Sequence, residues 1–371
     1  MAPNSKLNAK RKAARAAAKP KEQRKPENPQ QDDDVSASHI PTDLQQLLVN
    51  IFRHAFSERL ETDIAPLLQE VKGHLYNRDF ATAFGKENYL EAYAARWSPS
   101  RALGYAEVFW NLKDQLFLAI SEGSPDSDAS DDQSSMRVVC LGGGAGAEIV
   151  ALAGVQKLLR SDDAAYQKKM VIDAVDIADW SPIVSKLQSE ILRAPPLSKY
   201  ASAAAKAANV ALLDPESISI KFTQQDVLEK NTPKSQLNLE NADLVTLLFT
   251  LNELYSMSLP ATQQFLLGLT ATMRPGSLLL VIDSPGSYSS VTLNGAEKKY
   301  PMQWLLDHTL LKQVNGNQKE RGKDEVVKWE KVEEDVSRWF RLPEGLKYPI
   351  ELENMRMQLH LYRRVDGSRE T

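Results

Sequence analysis

Three glycines at alternate positions, Gly142, Gly144 and Gly146, sit inside "RVVCLGGGAGAEIVALAG", which begins at Arg137. The apolar run Val138 to Leu141 leads into them and a helix-patterned segment leads out. A strand that enters a glycine turn and leaves as a helix lets backbone come close to a ligand. The stretch fits two spacings. Gly142, Gly144 and Ala147 read as G-x-G-x-x-A, a dinucleotide turn with a pyrophosphate on the helix N-terminus. Gly142, Gly144 and Gly146 read equally as G-x-G-x-G, the turn of S-adenosylmethionine enzymes. Both cofactors contain an adenosine, so the glycines alone do not choose between them.

Two acids extend the pattern. "VIDAVDIADW" places Asp176 at the end of an apolar run, where a carboxylate can accept from both hydroxyls of a ribose. Its distance from the turn exceeds the usual ~20 residues, and the segment "RSDDAAYQKK" absorbs the excess. "KFTQQDVL" ends with Asp226, an acceptor for an adenine amino group. The neighbours Ile177 and Val227 offer apolar packing to the ring. Glycines, Asp176 and Asp226 on three successive strand ends favour S-adenosylmethionine over NAD; the competing reading is solvated acids at strand ends.

A fourth strand end carries a polar pair. "DLVTLLFTLNELYS" runs from an apolar stretch into Asn252 and Glu253, residue types that can orient a substrate and take its proton. The bland alternative is Asn252 as a cap and Glu253 as a solvated side chain. "DSPGSYSS", from Asp283 to Ser290, is expected to be a second loop on the same edge, with Asp283 and Ser284 toward the substrate. Cys140 is the only cysteine, which excludes an intrachain disulfide and a Cys-based zinc site. It lies within the strand before the glycines and reads as a small buried apolar residue. Methylation of pyrimidine C5 needs a thiolate nucleophile, so a nitrogen or oxygen acceptor is favoured. No D-P-P-Y or N-P-P-Y stretch points to an exocyclic adenine amine.

These residues need a scaffold, and the sequence supplies an alternation. Strands are expected at "VVCL", "MVIDAVDI", "SISIKFTQQD", "ADLVTLLFTLNE" and "GSLLLVID", with helices at "GAEIVALAGVQKLL", "SPIVSKLQSEIL", "PATQQFLLGLTATM" and "MQWLLDHTLL". The Ala-rich "KYASAAAKAANVALL" reads as one more helix. Such alternation predicts an α/β fold, a mostly parallel sheet with helices on both faces. "MRMQLHLYRRV" alternates and is expected as an antiparallel edge strand. Upstream, residues 40–123 are helical in pattern: Leu44, Leu47, Leu48, Ile51 and Phe52 share one face, and Ser98 and Pro99 read as an N-cap and first helical position. Residues 124–136 form a polar linker before a domain at 137–365. Residues 1–39 are a basic tail with an acidic patch at Asp32 to Asp34, expected to be disordered. That tail reads either as an RNA-contacting arm or nuclear address, or as a solubilising segment.

The 371 residues carry 42% hydrophobic and 25% charged side chains, an ordinary globular composition with a formal net charge of −4. No apolar run approaches the roughly 20 residues of a membrane span. The start "MAPNSKLNAKRK" has no apolar h-region, so no secretory signal is expected. The composition carries no signal of oligomeric state.

Taken together, "YAARWSPSRALGY", "VVCLGGGAGAE", "LFTLNELYSMSLPATQQFL", "LLLVIDSPGSYS", "YPMQWLLDHTLL" and "SRWFRLPEGLKYPIELENMRMQLHLYRR" resemble the fungal family of large-subunit (25S) rRNA uridine-N3 methyltransferases. The resemblance spans about Tyr89 to Arg364. It implies a Rossmann-like, seven-stranded class I methyltransferase sheet with a helical N-terminal extension, using S-adenosylmethionine on uridine in ribosomal RNA or a pre-ribosome, in the nucleus or nucleolus, with the cytoplasm also open. The methionine half of the cofactor then lies over Gly142 to Gly146, the ribose at Asp176 and the adenine at Asp226. One position departs from the general class: an acid often stands where Cys140 does. Carbonyls of the turn, or Tyr93 and Arg96 from the helical region, are the candidate replacements.

On this reading Glu253 assists removal of the weakly acidic N3 proton and Asn252 holds a carbonyl edge of uracil. N3 lies on the Watson–Crick face, so the base must be unpaired or flipped. Arg338, Trp339 and Arg341 in "SRWFR" are candidates for contacting RNA, against the alternative that Trp339 and Phe340 simply pack the C-terminal strands. Two other functions stay open at this point: a methyltransferase for a protein or small molecule, and a cofactor-binding ribosome-assembly factor without turnover.

Overall fold

The strand β1 (Ser135–Leu141) is buried on both faces from Val138 to Leu141, and its alternate side chains enter two different cores. Val138 and Cys140 join one cluster; Val139 and Leu141 join the other. A continuous apolar run is what a central parallel strand requires, because helices cover both of its faces. The computed structural model describes residues 38–122, 135–162, 166, 168–197, 199–207, 209–229, 237–293, 296–311 and 328–366. The expected basic tail, up to residue 37, and most of the expected linker lie outside the described residues.

Around β1 the sheet adds β2 (Lys169–Asp176), β3 (Ile218–Gln224), β4 (Leu244–Leu248), β5 (Leu278–Asp283), β8 (Trp329–Phe340) and β9 (Met355–Arg364). Its order is β3-β2-β1-β4-β5-β9-β8. The first five strands are parallel, and β9 runs antiparallel to both β5 and β8. This is the expected α/β, Rossmann-like seven-stranded sheet. The chain order reverses beside β1, and the carboxyl ends of β1 to β5 share one edge, the usual location of a ligand in such a sheet.

Helices α1 (Thr42–Ala55), α2 (Ala65–Tyr76), α3 (Glu87–Asn111) and α4 (Lys113–Glu122) precede the sheet. With α5 (Ala147–Asp162) and α6 (Ser181–Leu192) they supply Leu48, Phe52, Leu103, Phe109, Ile149 and Leu187 to the first core. Helices α7 (Leu251–Met257), α8 (Leu259–Thr272) and α9 (Met302–Leu311) supply Leu251, Leu266 and Leu306 to the second. Each such fully buried apolar side chain contributes about 1.5–3 kcal/mol relative to exposure. Among the described residues no helix is long and apolar enough to cross a membrane.

Four expectations are corrected. Ser98 and Pro99 do not start a helix; α3 runs through both, from Glu87 to Asn111, over roughly 37 Å. Proline inside a helix leaves the carbonyl four residues back without a donor. Here that carbonyl is Ala95 O, and Tyr348 Oη donates to it at 2.7 Å. The strand β9 is not an edge, because β8 pairs outside it. That outer strand is rich in Lys, Glu and Asp, a pattern that blunts an exposed edge. The loop expected from Asp283 to Ser290 spans only Ser284 to Ser287; Tyr288 already opens a hairpin, β6 (Tyr288–Leu293) and β7 (Ala296–Pro301). The Ala-rich helix is only the short turn Ala203–Ala207.

Candidate active site

Gly142 and Gly146 adopt positive φ, +80° and +81°, where a side chain is strained. The turn is also walled in: a Cβ on Gly144 would lie 2.2 Å from Trp180 Cδ1 and 2.9 Å from Asp176 Oδ2. Gly142 N–H donates to Val175 O at 2.8 Å, which ties the turn to the end of β2. The turn is therefore bare backbone pressed between β2 and the start of α6.

Asp176 ends β2 and accepts from Gly144 N–H at 3.2 Å and Ala178 N–H at 3.3 Å. Burial pushes its carboxyl up to about 6. Ile177 beside it is half exposed, at 50%, a flat apolar surface next to the acid. Gln225 N–H donates to Asp176 O at 2.7 Å, so the loop after β3 is tied to the same corner. Asp226, two residues past the strand, accepts from Leu228 N–H at 2.8 Å, and Val227 lines an apolar cavity of about 220 Å³ with Leu237, Leu239 and Phe265. The glycines, Asp176, Ile177, Asp226 and Val227 thus meet at one edge. A carboxylate held up by burial, an exposed aliphatic surface and a bare turn fit an adenosine with its attached chain.

At the end of β4 the backbone is strained. Phe249 has φ +57°, the left-handed region that non-glycine residues avoid, at a cost of about 1–3 kcal/mol. Such strain recurs at functional sites. The bend carries Thr250 against Gly142 and starts α7, whose first turn presents Asn252 and Glu253. Asn252 N–H donates to Asp283 Oδ2 at 3.1 Å; Asp283 also accepts from Ser284 N–H at 2.8 Å and from Ser287 Oγ at 3.2 Å. Asp283 therefore anchors the start of α7. Asn252 Oδ1 and Glu253 Oε2 are buried with no hydrogen-bond partner among the described residues. Burial, with help from Asp283, raises the Glu253 carboxyl above its ordinary value, although Arg78 and Asn252 pull it down. Arg78 Nη1 lies 3.8 Å from Glu253 Oε2.

Helix α3 crosses this edge. Tyr93 packs against Trp180, rings 5.8 Å apart, and against Phe84 and Trp97. Ser98 Oγ donates to Ala145 O at 2.8 Å and so fastens the helix to the glycine turn. Arg96 turns elsewhere: it pairs with Glu353, and its neighbour Ser100 accepts from Glu353 N–H. The guanidinium that faces the strand ends is Arg101, which donates to Tyr93 Oη at 2.7 Å and lies over the Phe249 ring at 5.1 Å. Sequence reasoning missed it, yet Tyr93, Trp97 and Arg101 recur at helical spacing on one face.

A carboxyl does stand against Cys140. Glu148, in the first turn of α5, is 3% exposed and hydrogen-bonds Thr246 Oγ1 and the Cys140 thiol. Burial pushes it up to about 7. Cys140 itself is fully buried and its thiol is raised well above the ordinary range, first by burial and then by Glu148. It is no nucleophile. The signal for Glu148 was its place one turn into a helix that must pack under the strand bearing Cys140.

The remaining candidates lie on the C-terminal strands. Trp339 is 48% exposed, with the Arg341 and Arg356 guanidinium carbons 4.9 and 5.6 Å from its ring. Because β8 runs parallel to β5, Trp339 lies toward the same edge as Asp283. Arg338 is instead paired with Glu333 and Asp335. Ser284 is exposed and its carbonyl accepts from Gln358 Nε2 at 2.8 Å.

Residues 52–363 match a family described as "Putative SAM-dependent methyltransferase". The chain is 36% identical over 338 residues to the 25S rRNA (uridine(2843)-N(3))-methyltransferase of Saccharomyces cerevisiae, covering 85% of each chain. Among solved structures, it is 13% identical to the 16S rRNA (adenine(1408)-N(1))-methyltransferase of Catenulisporales acidiphilia, over 65% of this chain and 96% of that one, with a TM-score of 0.33. It is 9% identical to an S-adenosylmethionine-dependent methyltransferase of Clostridium acetobutylicum, over 69% and 99%, with a TM-score of 0.30. At such scores the fold assignment rests on the strand order. From the match over residues 52–363 and the 36% identity to the yeast enzyme, the chain belongs to this family of S-adenosylmethionine-dependent methyltransferases.

Proposed function

We propose that this protein methylates N3 of a uridine in large-subunit ribosomal RNA. The observation that carries the reading is the 36% identity, across 85% of both chains, to an enzyme of that activity. The turn at Gly142 to Gly146, Asp176, Ile177, Asp226 and Val227 would hold S-adenosylmethionine, which would supply an electrophilic methyl group.

The chain's own residues do the rest. Glu253 Oε2, which accepts no hydrogen bond among the described residues and has only the Arg78 guanidinium nearby at 3.8 Å, takes the N3 proton, and the raised carboxyl is a better match to that weak acid than an ordinary one. Asn252 orients the base through a carbonyl edge of uracil. Cys140 plays no part, since its buried thiol stays protonated. Because N3 is on the pairing edge, the base reaches the pocket unpaired. Trp339, flanked by Arg341 and Arg356, offers a stacking face and positive charge to the surrounding strand. Ribosomal RNA or a pre-ribosome is the partner, the nucleus or nucleolus the place, and the basic segment at residues 1–39 an additional phosphate-binding arm.

The test is methyl transfer by the purified full chain to large-subunit rRNA, followed by digestion to nucleosides. Labelled 3-methyluridine is expected. Transfer to protein or small molecules with none to RNA, or cofactor binding without transfer, contradicts the reading.

A further inference from the structure

The guanidinium of Arg101 is a part-buried cation without an ion-pair partner within 4.0 Å among the described residues, where its hydrogen bond goes to the Tyr93 hydroxyl. An isolated buried charge is costly unless something offsets it. The charged or titratable groups around it come from two elements: Tyr93 and Tyr105 from its own helix, and Asp283 at longer range from β5. Glu148 acts on Tyr105, and Asp283 and Arg78 act on Glu253. Asp283 attracts it only at longer range and makes no ion pair with it within 4.0 Å; its oxygens accept from Asn252, Ser284 and Ser287. Arg101 is fixed in place by the Tyr93 hydroxyl and by the Phe249 ring under its flat face, at the strained bend that presents Asn252 and Glu253.

We infer that Arg101 holds the negative charge that the acceptor base takes on as its N3 proton leaves. The inference rests on the uridine reading. In the step, the N3–H bond breaks, its proton goes to the Glu253 carboxylate and its electron pair stays on the imide. Charge then spreads onto the O2 and O4 carbonyl oxygens, and the free guanidinium N–H groups donate to one of them. The N3 lone pair next forms the bond to the methyl carbon as the bond from that carbon to the sulfonium breaks, with its electrons going to sulfur. Glu253 and Arg101 divide the work: one accepts the proton, the other stabilises the anion. A nearby cation lowers the pKa of an acid that becomes negative.

The test uses the full chain with S-adenosylhomocysteine and an oligoribonucleotide spanning the modified uridine, with 5-fluorouridine at that position. Ionisation of the bound base is followed by fluorine NMR as pH is varied. Bound to wild type, the imide should ionise at a pH lower by one unit or more, a tenfold change in its ionisation constant. Arg101→Gln should return it to the value of the free oligonucleotide with S-adenosylhomocysteine affinity unchanged, and Arg101→Lys should restore part of the effect. An unaltered bound pKa in a folded Arg101→Gln variant overturns the inference. So does a tenfold loss of S-adenosylhomocysteine affinity with the base's pKa unchanged, which assigns Arg101 to the cofactor's carboxylate. A wild-type protein that forms no complex with the oligonucleotide overturns the uridine reading itself.

Discussion

Asp176 Oδ2 accepts the Gly144 N–H at 3.2 Å, so the acid at the end of β2 and the middle glycine of the turn are one unit. Burial raises that carboxyl to about 6. Ribose hydroxyls need the ionised acceptor, so cofactor affinity should be flat above neutrality and weaken as pH falls through about 6, by up to about tenfold per pH unit. Calorimetric titration with S-adenosylhomocysteine checks this. Asp176→Asn should bind more weakly and lose the acidic limb.

Glu148 gives a pH dependence of folding. Its carboxyl rises from an ordinary 4.5 to about 7 on burial, so the folded chain binds the extra proton between those values. Its contribution is fully present below about 4.5 and is lost as pH rises through about 7. The full effect is on the order of 3 kcal/mol. Denaturant melts between about pH 5 and pH 8 should show wild type losing stability with pH more steeply than Glu148→Gln.

Glu253→Gln should lower kcat about 10²- to 10⁴-fold, the usual effect of losing a positioned base, without changing S-adenosylhomocysteine affinity. The wild-type rate should fall as acid protonates a carboxyl that burial holds above its ordinary value, and the variant should lack that limb. A pH–rate profile of both proteins decides it.

Trp339→Ala should weaken RNA binding by about 1–3 kcal/mol if one base stacks there. Arg341→Gln should act through salt instead, reducing the slope of log K against log salt by about 0.7–0.9 for one phosphate contact. Filter binding over a range of salt separates the two.

The strand-end arrangement proposed to hold the cofactor was legible because it is local. A glycine turn after a strand and acids at the next two strand ends are short-range signals, and Gly142, Asp176 and Asp226 stand at the ends of three neighbouring strands. The acceptor half depends on α3, and there local signals misled. Pro99 reads as a helix start, but Tyr348, from far along the chain, satisfies the carbonyl that proline leaves free. With α3 broken there, Tyr93 and Arg101 fall on different elements and their shared face cannot be seen. The interior position of β9 was hidden for a similar reason, since the charges on β8 conceal the apolar ends it buries at Trp329 and Phe340.

The most direct measurement is nucleoside mass spectrometry of large-subunit rRNA from cells lacking this protein, rescued with wild type or Asp176→Ala. The account predicts loss of 3-methyluridine that wild type restores and Asp176→Ala does not. Unchanged 3-methyluridine in the cells lacking the protein contradicts it.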